Sequence, residues 1–183
     1  MVFKFFSCSL VGVVVWVDDQ VIRQSHLEIA SFCFVPKSIF VVLGRSNKKE
    51  VECYQEACLR DRIPILRRKG GGGAVVLHPG CVVVSLGVWV KDYYKNKEYF
   101  CKINKAVISL LESLSPRLKN LSQLGVSDIA LGKRKLVGTS LFRSRNYLLY
   151  QASILVEDRS DLFELYLRHP SSEPDYREKK SHK

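Results

Sequence analysis

Short β-branched runs that meet at tight turns constrain this chain more than any other feature. Residues 74–77 and 81–90 are two such runs, and only His78-Pro79-Gly80 separates them. Residues 128–131 and 135–138 are another pair around a Gly132-Lys133 turn. Parallel neighbours need a crossover of about a dozen residues or more, so connections this short predict antiparallel strands. The two runs flanking His78-Pro79-Gly80 are expected to pair with each other. Further strands are expected at 11–17, 38–43, 63–66 and 147–156. Pro64 suits an edge strand or a strand start.

Helices fill the gaps. Residues 96–114 place Ile103, Ala106, Val107, Leu110, Leu111 and Leu114 at helical spacing, and Pro116 stops the pattern. Residues 49–62 show the same spacing, a short helix fits within 22–34, and another starts at 162–167. Asp18-Asp19-Gln20 reads as a turn. The expected fold class is α+β, a mixed and largely antiparallel sheet flanked by helices. With 183 residues and 46% hydrophobic content the chain reads as one domain over 1–183.

No run of 18 apolar residues suggests a membrane span. The apolar segment after Lys4 reads as a buried strand rather than a signal peptide, because Asp18 and Asp19 follow it and no cleavage site stands out. Six cysteines lie scattered, with no CxxC pair and no zinc spacing. They read as reduced, buried thiols, which points to the cytoplasm. The 29 Lys+Arg against 18 Asp+Glu give +11. That excess suits an anionic ligand or an acidic partner. The basic residues are spread along the chain and no nucleic-acid motif appears, so nucleic acid is not the expected partner.

Two segments carry chemistry. Gly70-Gly71-Gly72-Gly73 follows Arg67-Arg68-Lys69 and leads into an apolar run. Four glycines cost backbone entropy and bury nothing, but they let a ligand approach the backbone closely. Their N–H groups can cradle phosphate or carboxylate oxygens, and arginine adds a planar donor fork. The second segment runs from Ser127 to Ser140. Lys135 enters an apolar strand there and could hold a carboxylate beside a phosphate.

Arg67-Arg68-x-Gly-Gly-Gly-Gly-Ala74 together with Asp128-Ile-x-x-Gly132-x-Arg-Lys135-x-x-Gly138-x-Ser140 resembles the lipoate–protein ligase branch of the lipoate/biotin ligase superfamily. That family's pattern is Arg-Arg-x-Ser-Gly-Gly-Gly-Ala/Thr-Val, then Asn-Asp-Ile, Gly-x-Lys-x-Ser-Gly-x-Ala and His-His-Gly-Thr. Gly44-Arg45-Ser46-Asn47 and the tail from Glu173 to His182 extend the likeness. The resemblance implies activation of lipoate with ATP and Mg2+ as an acyl-adenylate, then transfer to a lysine of a lipoyl carrier domain. It assigns Lys135 to the acyl carbonyl and phosphate, and Arg68 to phosphate or carboxylate oxygens. It assigns Gly71, Gly72, Gly73 and Ala74 to the pocket wall, and Asp128 to the nucleotide or the magnesium ion. His78, Gly138, Thr139 and Ser153 complete the expected binding set.

The chain departs from the pattern at Gly70, Ser127, Val137, Tyr150, Gln151 and Ala152. These departures imply a different acyl substrate or reduced activity. The small C-terminal accessory domain of such ligases finds no room before Lys183, which implies a separate accessory chain. The alternatives are an ATP-independent octanoyl or lipoyl transferase, or a non-catalytic homologue that binds lipoyl domains or a nucleotide. No cysteine stands just before Asp128 and none follows Cys101, which counts against a thioester transferase. The Gly-Arg-Gly-Arg loop of biotin ligases is absent.

Overall fold

The computed structural model describes residues 18–24, 29–92 and 94–169. The strand expected at 11–17 and the tail motif at 173–182 lie outside the described residues. Helix α1 (Asp18–Gln24) precedes strands β1 (Ala30–Phe34) and β2 (Phe40–Leu43). Then follow α2 (Lys49–Glu52), α3 (Gln55–Arg60), β3 (Ile65–Arg67), β4 (Val75–Leu77) and β5 (Cys81–Trp89). Helix α4 (Asn96–Leu114) leads through a single 3-10 turn to β6 (Leu121–Leu124), β7 (Asp128–Leu131), β8 (Arg134–Ser144), β9 (Tyr147–Leu155) and α5 (Ser160–Tyr166).

The strands form two sheets. Six pair antiparallel in the order β1-β5-β9-β8-β7-β6, and three pair as β3-β2-β4. Strands β2 and β3 run parallel, while β2 and β4 run antiparallel. This is the expected α+β, largely antiparallel architecture. Strand β3 lies at an edge of the small sheet, where Pro64 suits it.

The pairing of the runs around His78-Pro79-Gly80 is corrected. Strand β4 pairs with β2 in the small sheet, and β5 pairs with β1 and β9 in the large one. The turn is therefore a change of sheet and not a hairpin. Gly80 O accepts the N–H of Val156 and of Glu157, so the turn is bonded to the chain leaving β9. Burial explains the switch. Leu77, Cys81 and Val83 share one cluster with Phe40 and Val42, so both runs turn apolar side chains into the space between the sheets.

Three further expectations change. The stretch expected to hold a short helix at 22–34 ends in strand β1, and the described helix there is α1, which begins at Asp18 and ends at Gln24. Asp18 and Asp19 open helix α1 instead of a turn, and carboxylates are favourable against the helix dipole there. The helix expected over 49–62 breaks into α2 and α3. Cys53 bridges to Leu167 and Tyr54 N donates to Tyr166 O, so the end of α5 takes up the backbone groups at the break.

The face of the large sheet toward α4 holds an apolar core of Phe100, Leu111, Leu121, Ile129, Val137, Tyr150 and Ala152. Complete burial of Ile129 and Val137 contributes roughly 1.5–3 kcal/mol each. The opposite face carries the small and polar residues from which the candidate site is built.

Candidate functional site

Antiparallel register assembles that face. Opposed residues share a side of the sheet. Asp128, Gly138, Ser153 and Val83 therefore form one row across four strands. Ser140, Gln151 and Ser85 form the next row. Gly70 lies against Ser140, so the glycine loop covers this second row.

Lys135 reaches the same face through a β-bulge. It stands three positions before Gly138, and a regular strand would place the two on opposite faces. The register shifts between Ile129 and Ala130, so Lys135 opposes Ala130 and Leu136 is the extra residue. Ala130 shares its face with Asp128, and Lys135 joins them. Lys135 Nζ then lies 2.8 Å from Asp128 Oδ1. The Asp128 side chain is 6% exposed and that of Lys135 30%, so the carboxylate is buried and the ammonium keeps access to solvent. Gly138 makes room for this pair, since a Cβ there would stand 3.3 Å from Lys135 Nζ. Ser153 Oγ donates to Gly138 O at 3.3 Å.

The two arginines before the glycines brace loops. Arg67 Nη1 donates to the carbonyls of Gly44, Arg45 and Asn47 at 2.9, 3.0 and 2.7 Å. Arg68 Nη2 donates to the carbonyls of Gly71 and Gly73 at 2.7 and 2.8 Å, and its Nη1 to that of Val42 at 3.4 Å. Arg68 is buried, and burial lowers its guanidinium to about 10. Gly70 O takes the N–H of Arg45. A Cβ on Gly44 would fall 2.0 Å from Gly72 O, and Gly72 itself sits at φ +90°. Only glycine tolerates that combination. The loop carbonyls thus face protein donors. Among the described residues nothing accepts the N–H of Gly71, Gly72 or Gly73. A braced loop whose N–H groups find no acceptor among the described residues can cradle an anion.

Sequence reading missed Asp18. It is 3% exposed and accepts the backbone N–H of Lys69 at 2.5 Å and Gln151 Nε2 at 2.8 Å. Gln151 Nε2 also donates to Ser85 Oγ at 3.1 Å. Asp19 pairs with Lys69 Nζ at 3.1 Å. Helix α1 is thereby fastened to the stem of the glycine loop and to the polar row beneath it. The two adjacent carboxylates were the available signal, and a turn explained them as well as a helix start.

The other expected residues sit elsewhere. Thr139 lies on the opposite face, where its N–H and Oγ1 both donate to Ser127 O at 2.8 and 2.7 Å. Tyr150 also points there and donates to buried Asn104 Oδ1 at 2.8 Å, and burial raises its phenol. His78 is 1% exposed in the sheet-switch turn, where Nδ1 accepts the N–H of Gly80 at 3.0 Å. Its Nε2 finds no partner among the described residues. Ala74 leads from the loop into β4.

Among the described residues no three His, Cys, Asp or Glu side chains group as a metal site. Cys53, Cys58 and Cys81 are buried, and burial raises their thiols, that of Cys53 to about 11. None of these is a thiolate nucleophile at neutral pH. No described helix is long and apolar enough to cross a membrane.

Comparison with known proteins bears on the fold and the family. A candidate lipoate-protein ligase A of Schizosaccharomyces pombe is 28% identical over 141 residues, covering 72% of this chain and 35% of that protein. The chain thus spans about a third of that relative's length. A bipartite lipoate protein ligase of Thermoplasma acidophilum, studied with its E2 lipoyl domain, superposes with a TM-score of 0.75 at 20% identity, covering 89% of this chain and 62% of that one. A lipoate-protein ligase A bound with ATP gives a TM-score of 0.73 at 23% identity, covering 84% and 65%. Residues 16–183 match the family model for the lipoyl protein ligase A/B catalytic domain. The chain belongs to that family.

Proposed function

We propose that this chain is the catalytic domain of a lipoate–protein ligase. A lipoate carboxylate oxygen attacks the α-phosphorus of ATP, pyrophosphate leaves, and a lipoyl-adenylate forms. An amine of a carrier-domain lysine then attacks the acyl carbonyl. AMP departs, and the amine gives up a proton as the amide forms. The observation that carries this reading is the Lys135 ammonium held on the polar sheet face by buried Asp128, beside a braced loop with free N–H groups.

The roles follow from that arrangement. Lys135 is the cation at the acyl carbonyl and the α-phosphate, where charge changes in both steps. The N–H groups of Gly71, Gly72 and Gly73 receive anionic oxygens, and Ala74, Gly138 and Ser153 shape the wall. Arg68 serves the anion through the loop carbonyls it holds. Asp128 orients Lys135, and its carboxylate would hold a magnesium ion brought with the triphosphate. One carboxylate with phosphate oxygens is a donor set that magnesium accepts. Thr139 faces the other side of the sheet and His78 is buried in the sheet-switch turn, so neither is assigned a contact with the ligand. The Thermoplasma relative is bipartite, so an accessory chain is also a proposed partner here.

The test is mass analysis of a purified lipoyl domain incubated with this protein, lipoate, ATP and magnesium, with and without an accessory ligase chain. A lipoylated product is expected. Lys135→Ala should lower the rate about 10²–10³-fold, the usual loss when one charge-stabilising donor is removed. A product formed only from an octanoyl carrier without ATP would replace the ligase with a transferase. No product in any mixture would defeat both.

A further inference from the structure

The two halves of the candidate site belong to different sheets. Gly70–Gly73 lie between β3 and β4 of the small sheet, whereas Asp128 and Lys135 stand on β7 and β8 of the large one. A ligand that meets both the loop N–H groups and the Lys135 ammonium must span the gap between them. The width of that gap is set by whatever ties the loop to the large sheet, and small misplacements of reacting groups are costly.

Asp18 is such a tie. Helix α1 rests on the large sheet, where buried Val21 packs with Phe32, Tyr147 and Leu149. From there Asp18 Oδ2 accepts the N–H of Lys69, the residue before the glycines, at 2.5 Å. Its Oδ1 accepts from Gln151 Nε2 at 2.8 Å, and Gln151 opposes both Ser140 and Ser85 in the large sheet. One carboxylate thus holds the loop stem with one oxygen and the sheet with the other. Burial lowers the Arg68 guanidinium, and the charge of Asp18 opposes that effect. Arg68 in turn holds the carbonyls of Gly71 and Gly73, so both ends of the glycine run are linked to Asp18. This carboxylate is 3% exposed, and hydrogen bonds to an ionised acceptor are the strong kind. The ion pair between Asp19 and Lys69 spans the same elements at the surface, with side chains 69% and 39% exposed, where such pairs contribute little.

We propose that Asp18 is a positioning residue of the anion site, which sets the spacing between the glycine loop and Lys135 and touches no substrate itself. This rests on the ligase reading, because the triphosphate and the acyl group are what would span the two sheets. It places helix α1 in the machinery of the reaction and not only in the fold.

The experiment measures initial rates of lipoylation at varied ATP for wild type, Asp18→Ala, Asp18→Asn and Asp19→Ala. Hydrogen exchange at Arg45 is followed in parallel, because its N–H is bonded to Gly70 O and does not touch Asp18. Asp18→Ala should raise the KM for ATP about tenfold, the scale of one lost charge-assisted hydrogen bond. A mere loss of folded protein lowers kcat and leaves KM unchanged. Asp18→Asn still offers Lys69 an acceptor. Its amide N–H can meet Gln151 Oε1, which is buried without a partner among the described residues, once the Gln151 amide turns over. That variant should keep KM within about threefold of wild type. Asp19→Ala should stay within about twofold, as a screened surface pair predicts. Arg45 exchange should quicken in Asp18→Ala alone. An unchanged KM in Asp18→Ala, or an equal rise in Asp19→Ala, would overturn the proposal. If wild type itself forms no product, the ligase reading fails and exchange decides the tie. Quickened exchange at Arg45 in Asp18→Ala would uphold it, and equal exchange would overturn it.

Discussion

Gly70 and Ser140 share one small volume. A Cβ added at Gly70 would stand 2.7 Å from Ser140 Oγ and 3.1 Å from its Cβ. The family pattern places Ser and Ala at these two positions, so this chain resembles an exchange of the hydroxyl from the loop to the sheet. Gly70→Ser alone should destabilise by about 1–3 kcal/mol through overpacking. Adding Ser140→Ala should recover at least about 1 kcal/mol of that, because contacting sites are not additive. Chemical denaturation of the single and double variants measures the coupling, and strict additivity would show that the two sites do not share space. At this scale much of the site was legible in sequence. Lys135, Asp128 and the glycines are residue types whose chemistry does not depend on the fold. Asp18 and Gln151 were not legible, because their partnership joins residues 133 positions apart.

Element geometry decides what those residues can do. The glycine loop is held by Arg68, whose planar fork spans the carbonyls of Gly71 and Gly73. Arg68→Ala removes the donor from both carbonyls, which belong to exposed residues, and should cost about 1 kcal/mol for each hydrogen bond lost. Hydrogen exchange at Arg45, whose N–H is bonded to Gly70 O, should quicken with it. A single ammonium lacks the fork, so Arg68→Lys should restore little of the protection. Unchanged exchange in Arg68→Ala would show that the glycines are held by other means. The bulge at Leu136 is the second such device. Spacing alone puts Lys135 and Gly138 on opposite faces, and only the shifted register brings them together. Strand β6 and the break between α2 and α3 escaped the sequence for a related reason. Leu121–Leu124 is four residues with no clear alternation, and the break depends on Tyr54 N meeting Tyr166 O.

At the scale of the whole molecule, the junction between the two sheets carries a pH-sensitive group. His78 stands in the turn that carries the chain from one sheet to the other, and burial holds its imidazole below the ordinary 6.5. The unfolded chain therefore takes up this proton first as pH falls. The contribution of His78 is full above pH 6.5 and is lost as pH drops below it toward the lowered folded-state value. His78→Asn keeps an acceptor for the Gly80 N–H without a titrating ring. Its denaturation free energy should fall less than that of wild type on acidification below pH 6.5, and parallel profiles would remove His78 from the account. The sequence by itself determined the α+β class, the long amphipathic helix, the hairpin at Gly132 and the residue types of the candidate site. These follow from local periodicity, turn chemistry and side-chain charge. Tertiary structure alone decided that β4 and β5 part into different sheets, that Lys135 turns toward Asp128, and that α1 fastens the glycine loop. Each of those depends on which buried surfaces and hydrogen-bonding groups meet across the chain, and local spacing does not encode that.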